Sequence, residues 1–205
     1  MSAAPPSASP LILASTSIYR RELLARLHLP FEVSAPEVDE TPLAGESPAA
    51  TAARLALAKA LAVAQRFPQA IVIGSDQVAD LNGQALGKPG SRAGAIEQLR
   101  RMSGRDVVFH TAVAVVHQQA AFRAQDLAPV QVRFRVLDDA TIADYLALEQ
   151  PYDCAGSAKA EGLGIALLEA IHSDDPTALI GLPLIRTSRM LRAAGLAVPP
   201  RGAKA

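Results

Sequence analysis

The strongest candidate for chemistry in this sequence is Asp76, a carboxylate that directly follows the apolar residues 71–74. We expect residues 70–75 to form a buried strand that ends at this aspartate. Open α/β sheets bind ligands beyond the carboxyl ends of their strands. A carboxylate in that position can act as a general base for water or as a ligand for Mg²⁺, and the alternative is an aspartate that only shapes a turn.

Lysine is rare in this chain, which has sixteen arginines and four lysines. Lys59 stands alone among Ala and Leu residues, where a buried ammonium group is stable only if it is paired. Lys88 lies in Gly87-Lys88-Pro89, and Lys159 lies in the polar segment 155–164. Lysine is a compact point charge that suits phosphate. For Lys59 the alternative is a side chain whose charged end reaches solvent.

A second signal for anion binding lies near the N-terminus. Residues 11–14 are expected to form a buried strand, and Ser15 opens a hydroxyl-rich loop before a helix over residues 19–28. The loop hydroxyls and the free N–H groups of a helix N-terminus point the same way. Arg20 and Arg21 occupy the first turn, where the helix dipole disfavours cations. Their position therefore suits a phosphate group held at that terminus.

Two loops offer further carboxylates. Residues 38–41 contain Glu40, which can share a metal ion with Asp76 or belong to a solvated acidic loop. Residues 157–164 contain Glu161, which can meet a ligand or belong to an ordinary turn. The sequence has no P-loop, dinucleotide-binding or nucleophile-elbow motif, so those enzyme classes lack support.

These residues must be positioned by strands that alternate with helices early in the chain, with longer strands later. A mixed sheet in an α/β domain fits this order better than an all-parallel sheet. Beyond the segments above, we expect strands over 31–34, 107–117, 130–136 and 165–169, a hairpin at Asn82-Gly83, and helices over 49–67, 93–102, 138–149 and 184–194.

Composition excludes several classes of protein. Twenty basic residues balance twenty acidic ones, and a neutral chain is a poor candidate for sequence-independent nucleic-acid binding. The single cysteine, Cys154, excludes internal disulfides, and the four histidines lack a metal-binding spacing. The sequence has no apolar run as long as a membrane span, and residues 1–10 do not resemble a signal peptide. We expect a soluble cytoplasmic protein with no nucleic-acid or membrane partner.

Taken in order, these segments resemble the Maf family of nucleoside triphosphate pyrophosphatases. The resemblance covers nearly the whole chain between two short tails. It implies one domain over residues 11–198, flexible tails over 1–10 and 199–205, and a mixed twisted sheet flanked by helices, with two lobes around a central nucleotide-binding cleft. The matching segments are residues 11–21, 35–41, Lys59, 73–78, 87–89, 154–164 and 181–184.

The family cleaves a nucleotide between its α- and β-phosphates, and it requires a divalent metal. The resemblance therefore implies that Asp76 accepts a proton from water and that Glu40 and Asp76 bind Mg²⁺ or Mn²⁺. It also implies a homodimer. The positions that match the family's phosphate site are Ser15, Arg20, Arg21, Lys59 and Lys88.

The resemblance is closest to the subgroup that acts on 7-methyl-GTP. Tyr19, Gln77 and Glu161 match that subgroup, whereas the pyrimidine nucleotide subgroup carries Arg, Thr and Gln at these positions. N7-methylation makes guanine cationic, and an aromatic ring attracts a cation over its face. The Glu161 carboxylate can accept both N–H groups of the guanine edge. Ile18 departs from the family, which usually has proline there.

Two other functions stay open from the sequence. One is a dTTP/UTP pyrophosphatase of the same family, which Tyr19 and Glu161 disfavour. The other is a nucleotide-binding regulator of septum formation that performs no catalysis. The presence of Asp76, Glu40 and Lys59 together favours turnover, because a protein that only binds a nucleotide needs no base.

Overall fold

A seven-stranded sheet organises residues 9–200, which are the part of the chain that the computed structural model describes. Most of the two predicted tails, 1–10 and 199–205, lies outside these residues. The elements in chain order are β1 (Leu11–Ala14), α1 (Ile18–Ala25), β2 (Glu32–Val33), α2 (Pro48–Arg66), β3 (Ile71–Leu81), β4 (Gln84–Leu86), α3 (Arg92–Met102), β5 (Asp106–His117), β6 (Phe122–Phe134), α4 (Asp139–Glu149), β7 (Leu168–His172) and α5 (Leu184–Ala193).

The sheet is mixed, with the order β2-β1-β3-β5-β6-β7 and β4 added beside β3. β1 runs parallel to both β2 and β3. The pairs β3–β5, β5–β6 and β6–β7 are antiparallel. The prediction of an α/β fold with a mixed sheet flanked by helices is therefore confirmed. Among the helices within residues 9–200, none combines the length and the apolar character that a membrane crossing requires.

The two edges of β3 differ, and this difference creates an opening in the sheet. On one edge, β3 pairs with β5 from Ile71 to Asp80. On the other edge, the pairing with β1 ends at Gly74 and the pairing with β4 begins at Ala79. Residues 75–78 therefore have no strand beside them on that edge among the elements described here. We call this segment the β3 gap, and it contains Asp76.

The prediction that the strand ends just before Asp76 is wrong. β3 continues for five residues beyond it, to Leu81. The apolar run ends at Gly74 because the parallel neighbour β1 ends there. The backbone stays extended because pairing with β5 continues, with Asp76 opposite Ala112. Asp76 thus lies within a strand rather than in a turn.

Two later strands also differ from the predictions. β6 begins at Phe122 rather than at residue 130, because it pairs with β5 without interruption from His117↔Phe122. β7 covers Leu168–His172 rather than 165–169, since Leu163–Leu167 forms a 3₁₀ turn first. Pro129 lies within the unpredicted part of β6 and disfavours a strand assignment from the sequence, although polar and apolar residues alternate along it as in a half-buried strand.

Side-chain alternation assigns each residue of β3 to one of two layers. Ile71 and Ile73 pack in one apolar cluster with residues of α1 and α5. Val72 packs on the opposite face with residues of α2. By the same alternation, Asp76 lies on the face covered by α2, and Gln77 lies on the face that carries α1 and α5.

Two of the apolar clusters of the core lie toward opposite ends of the long strands. Ile73 belongs to the cluster with α1 and α5, and Ala79 belongs to the cluster with α3 and α4. The polar residues Ser75, Gln77 and Thr111 fall between these clusters along the strands. This separation agrees with the expected two lobes, and it leaves the polar residues where the lobes meet.

Helix α2 approaches β3 closely at Gly74. A Cβ atom on Gly74 would overlap the carbonyl oxygen of Ala56 and lie 2.6 Å from the nitrogen of Ala60. A glycine is therefore required for this packing distance. Lys59 directly precedes Ala60, and Asp76 lies two residues after Gly74. The contact thus sets the separation of these two charged side chains.

We expect Gly74→Ala to lower the free energy of unfolding by about 1–3 kcal/mol, because the added methyl group meets backbone atoms that cannot move aside. Urea denaturation of both proteins measures this loss. Gly87→Ala is the matched control, since a Cβ atom there meets open space. Equal stability of Gly74→Ala and the wild type would contradict the close approach.

Candidate active site

The centre of the candidate site is Lys59, whose ammonium group lies between two carboxylates. Its Nζ is 2.7 Å from Oδ1 of Asp76 and 2.7 Å from Oε1 of Glu40. The Lys59 side chain is 5% exposed and that of Asp76 is 10% exposed, whereas Glu40 is 55% exposed. Lys59 and Asp76 are thus buried, whereas Glu40 faces solvent. A ligand can therefore reach the carboxylates from the Glu40 side.

Two more cations lie close to these carboxylates. Arg20 is half-buried in the first turn of α1, where the side chain of Ser17 caps the helix. Burial lowers the pKa of Arg20, while the charges of Asp76 and Glu40 act to raise it. Partial burial acts to raise the pKa of Glu40, but the pull of Lys59, Lys88 and Arg20 keeps that pKa below its ordinary value. The cations and carboxylates thus share one electrostatic environment.

Two other predicted phosphate ligands, Ser15 and Arg21, lie in different surroundings. Ser15 is buried just after β1, and its Oγ accepts a hydrogen bond of 3.1 Å from the backbone N–H of Ser17. Because β1 ends opposite Gly74, Ser15 lies beside the β3 gap. Arg21 is exposed on α1, and its side chain makes no hydrogen bond or ion pair with another of residues 9–200. The structure therefore groups Ser15 with the site and leaves Arg21 on the outer surface of the helix.

The loop that carries Glu40 is fastened to α2 by Glu46. The guanidinium of Arg54 donates to Glu46 through Nε at 2.7 Å and through a terminal nitrogen at 2.8 Å. The Thr51 hydroxyl donates to the same carboxylate at 2.9 Å. Arg54 also donates to the carbonyl of Thr41, the neighbour of Glu40, at 3.1 Å. These contacts hold Glu40 over the end of Lys59.

Tyr19 lies in a second group of residues, at the start of α1. Its hydroxyl donates to Asp153 at 3.3 Å, and Nζ of Lys159 lies 5.9 Å from the centre of its ring. This distance is within the range of a cation–π interaction. Burial raises the pKa of Tyr19, and nearby negative charges add to the effect, so the phenol stays a neutral donor. Lys159 therefore pairs with this ring and does not join the group around Lys59.

Glu161 belongs to the Tyr19 group. Although the residue is exposed, partial desolvation raises its pKa above the ordinary value. The negative charges of Glu149 and Asp153 act in the same direction, while Lys159 opposes them. The carboxylate of Glu161 thus lies among like charges that favour the approach of a cation.

The side-chain amide nitrogen of Gln77 is bound by other residues of the chain. Nε2 lies 2.9 Å from the hydroxyl oxygen of Thr111 and 2.9 Å from each of the carbonyl oxygens of Ala178 and Leu179. The two carbonyls require the nitrogen on that side, which assigns the amide orientation. Only Oε1 of Gln77 remains for a ligand.

Sequence reasoning missed the partners of these groups. Asp153, Thr111 and the carbonyl of Gly181 each contact a predicted site residue, but none was singled out for chemistry. The segment 181–184 was noted only as a match to the family. Its glycine carried a signal that could have been used, because an isolated glycine before Leu-Pro marks an unusual backbone conformation.

Glu40 and Asp76 are also the residues that fit a divalent metal. Both converge on one cation, the Lys59 ammonium, and both supply the hard oxygen atoms that Mg²⁺ prefers. Within residues 9–200 there is no group of three His, Cys, Asp or Glu residues that could hold a metal ion. Two carboxylates suit a Mg²⁺ ion that takes its other ligands from water and substrate phosphates.

Comparison with known proteins gives one matching family and many similar sequences. The family model described as "Maf-like protein" matches residues 10–194, which include every site residue above. Three similar proteins carry the name "7-methyl-GTP pyrophosphatase". That of Polaromonas sp. is 66% identical over 94% of this chain and 88% of its own. Those of Albidiferax ferrireducens and Aromatoleum aromaticum are 63% and 60% identical, over 92% and 93% of this chain and 94% and 98% of their own.

The pair of Arg54 and Glu46 leads to a pH-dependent prediction. The hydrogen bond from Arg54 lowers the pKa of Glu46 to about 2, from an ordinary value of 4.5. A lowered pKa contributes stability that is present above the unfolded value and is lost as the pH falls through the folded value. We expect Arg54→Met to be less stable than the wild type at neutral pH, and the difference to shrink as the pH falls from about 4.5 to about 2.

Urea midpoints measured across this pH range give the comparison. Arg26→Met is the control, because Arg26 is an exposed arginine of the α1 C-terminus, without an ion pair to another described residue. A difference between Arg54→Met and the wild type that stays constant with pH would contradict the assignment.

Proposed function

Because the chain belongs to the Maf-like family, we propose that it is a nucleoside triphosphate pyrophosphatase that hydrolyses 7-methyl-GTP to 7-methyl-GMP and diphosphate. The observation that carries this proposal is the Lys59 ammonium held 2.7 Å from both Asp76 and Glu40. This arrangement places a carboxylate that can accept a proton from water beside a positive charge that can bind phosphates. The names of the similar proteins support the choice of substrate.

In the proposed reaction, Asp76 is the proton acceptor for water. The water oxygen forms a bond to phosphorus at the anhydride between the α- and β-phosphates, and the bridging bond breaks. The proton of the water passes to the Asp76 carboxylate, and diphosphate leaves. Oδ1 of Asp76 is held by Lys59, which leaves Oδ2 for the water. A positioned base of this kind contributes about 10²–10⁴-fold to a rate.

The cations supply the second part of the proposed catalysis. Phosphoryl transfer depends mainly on positioning and on neutralising the charge of the phosphate oxygens. Arg20 and Lys88 both act to lower the pKa of Glu40, which supports assigning them to the proposed phosphate site. Ser15 adds a buried hydroxyl beside the β3 gap. Arg21, being exposed, is assigned to the outer part of the triphosphate.

We also propose that Glu40 and Asp76 hold Mg²⁺ or Mn²⁺ together with the substrate. When bound, the metal would neutralise phosphate charge and clamp the phosphate oxygens. In the free protein the Lys59 ammonium neutralises the two carboxylates and so reduces the repulsion between them. Lys59 therefore keeps both carboxylates in place until a nucleotide arrives.

The Tyr19 group supports a preference for a methylated guanine. N7-methylation gives the base a positive charge, which an aromatic face and a carboxylate both favour. Tyr19 supplies the ring, and Glu161 supplies an acceptor for the two N–H groups of the guanine edge. Gln77 would offer Oε1 to the base, because its Nε2 is already bound to the protein.

The remaining expectations from the sequence also stay proposals. The family resemblance supports a homodimer, which light scattering can test. The neutral net charge supports the absence of a nucleic-acid partner. A cytoplasmic location is a prediction that fractionation of cells would check.

We expect Asp76→Asn to lower the rate of diphosphate release from 7-methyl-GTP by about 10²–10⁴-fold, because the amide cannot accept the proton of water. Circular dichroism should show an intact fold. Asp80→Asn is the matched control on the same strand and face, where the carboxylate binds His110 instead. Near-normal turnover by Asp76→Asn would overturn the proposed role.

A panel of nucleotides assayed for diphosphate separates the other functions. With Mg²⁺ or Mn²⁺ present, 7-methyl-GTP should be hydrolysed faster than GTP, dTTP or UTP. Faster hydrolysis of dTTP and UTP would indicate the pyrimidine nucleotide enzyme. No release of diphosphate from any nucleotide would indicate a binding protein.

We expect Glu161→Gln to lower the ratio of 7-methyl-GTP to GTP turnover by about tenfold, the equivalent of ~1.4 kcal/mol. The substitution keeps the size of the side chain but removes its charge. Glu169→Gln, an exposed position on β7, is the control. An unchanged ratio in Glu161→Gln would refute its role in selecting the base.

A further inference from the structure

We propose that the loop of residues 175–184 is a positioning device for Arg20, and that buried Asp175 is the residue that fixes it. The loop holds the guanidinium through the carbonyl of Gly181, so that its two terminal nitrogens are presented to the phosphates. The inference rests on the proposed function, in which Arg20 binds phosphate. It assigns a role to the Gly181-Leu182-Pro183 segment, which the mechanism above does not use.

The contact between Arg20 and the loop involves a single nitrogen of the guanidinium. Nε of Arg20 donates to the carbonyl oxygen of Gly181 at 2.9 Å. The two terminal nitrogens make no hydrogen bond to another residue in the described part of the chain. A guanidinium is planar and rigid. Fixing Nε therefore fixes the plane in which the other two nitrogens meet a ligand.

The Gly181 carbonyl is itself held in place. The buried hydroxyl of Ser75, at the start of the β3 gap, lies 3.0 Å from the same oxygen and 2.8 Å from the carbonyl oxygen of Ala112, and its single proton is shared between these two acceptors. Gly181 has φ 126° and ψ 2°, a conformation that residues with a Cβ atom rarely adopt. The direction of this carbonyl thus depends on glycine. Another residue would rotate the peptide away from Arg20 and Ser75.

The apex of the loop is attached to the sheet between the two lobes. The carbonyl of Ala178 accepts a hydrogen bond from Thr111 at 2.8 Å and one from Gln77 at 2.9 Å. The carbonyl of Leu179 accepts another from Gln77 at 2.9 Å. Two successive carbonyls of the loop thus make three contacts with the polar residues of β3 and β5. These contacts align it with the strand that carries Asp76.

Asp175 closes the base of the loop. Its side chain is fully buried, and Oδ2 accepts a hydrogen bond of 3.0 Å from the backbone N–H of Arg186 at the start of α5. Oδ1 lies 3.1 Å from the hydroxyl of Thr177, which shares its proton between this oxygen and the carbonyl of Leu182 at 2.8 Å and accepts from the N–H of Leu184 at 2.8 Å. One buried carboxylate thereby joins the two ends of the loop. Removing its charge loosens both ends and frees the apex.

Two features distinguish Asp175 from its neighbour Asp174. Asp174 is 73% exposed and binds only the guanidinium of Arg186, through two contacts of 3.1 Å. Asp175 binds backbone and hydroxyl groups of the loop itself. Asp174 is therefore a matched control, adjacent in sequence and attached to the same arginine, but outside the loop's internal contacts.

The first test observes Arg20 directly and needs no activity. The Nε–H signal of Arg20 in a ¹⁵N–¹H spectrum is identified by its loss in Arg20→Lys. We expect slow hydrogen exchange of this signal in the wild type and in Asp174→Asn. Gly181→Ala and Asp175→Asn should both exchange it rapidly. Slow exchange in either of these variants would overturn the proposal, whether or not the protein hydrolyses a nucleotide.

The second test is a double-mutant cycle on turnover of 7-methyl-GTP. We expect Gly181→Ala and Asp175→Asn each to lower kcat/KM by about 10–100-fold, the range for a misplaced catalytic contact. In an Arg20→Met background, neither change should cause a further loss, because the group they position is absent. Equal losses in both backgrounds would show a general structural role and overturn the proposal. A wild type inactive on every nucleotide would instead refute the proposed function, and the exchange test would still decide the role of the loop.

Discussion

The site depends on burying one ammonium group, that of Lys59, against a sheet. Such a group is costly unless carboxylates surround it, and Asp76 and Glu40 do so at 2.7 Å each. Every nearby element contributes to this pairing. Gly74 allows α2 to approach the sheet, small alanines line that helix, and Arg54 ties the Glu40 loop to it. Losing any of these contacts would separate the Lys59 ammonium from its two carboxylates.

The mixed topology explains why the charges gather at this point. β3 takes part in both the parallel and the antiparallel portions of the sheet. Where the parallel neighbour β1 ends, the β3 gap has no strand from the described part of the chain on one edge, while pairing with β5 keeps the backbone extended. Alternate side chains of the gap then serve two layers. Asp76 faces α2 and Lys59, and Ser75 and Gln77 face the loop that holds Arg20.

The central group could be predicted from the sequence because charged residues in apolar surroundings are conspicuous. Lys59 in an Ala/Leu helix and Asp76 after an apolar run both stood out for that reason. The extension of β3 beyond Asp76 could not be predicted, since it depends on pairing with a strand more than thirty residues away. The contacts of Gly181 and Ala178 are made by backbone carbonyls, which every residue has. Their role is therefore absent from any pattern of side chains.

The position of Lys159 has a consequence for the proposed contact between the Tyr19 ring and a nucleotide base. The Tyr19 ring already carries a cation at 5.9 Å before any nucleotide arrives. A base that stacks on that side of the ring must displace the ammonium. With an uncharged guanine, the ring would lose the ammonium and gain a neutral group. With a methylated guanine, it would lose one cation and gain another. In the proposed function, Lys159 would therefore compete with the base for the Tyr19 ring, and an uncharged base would displace it at a loss.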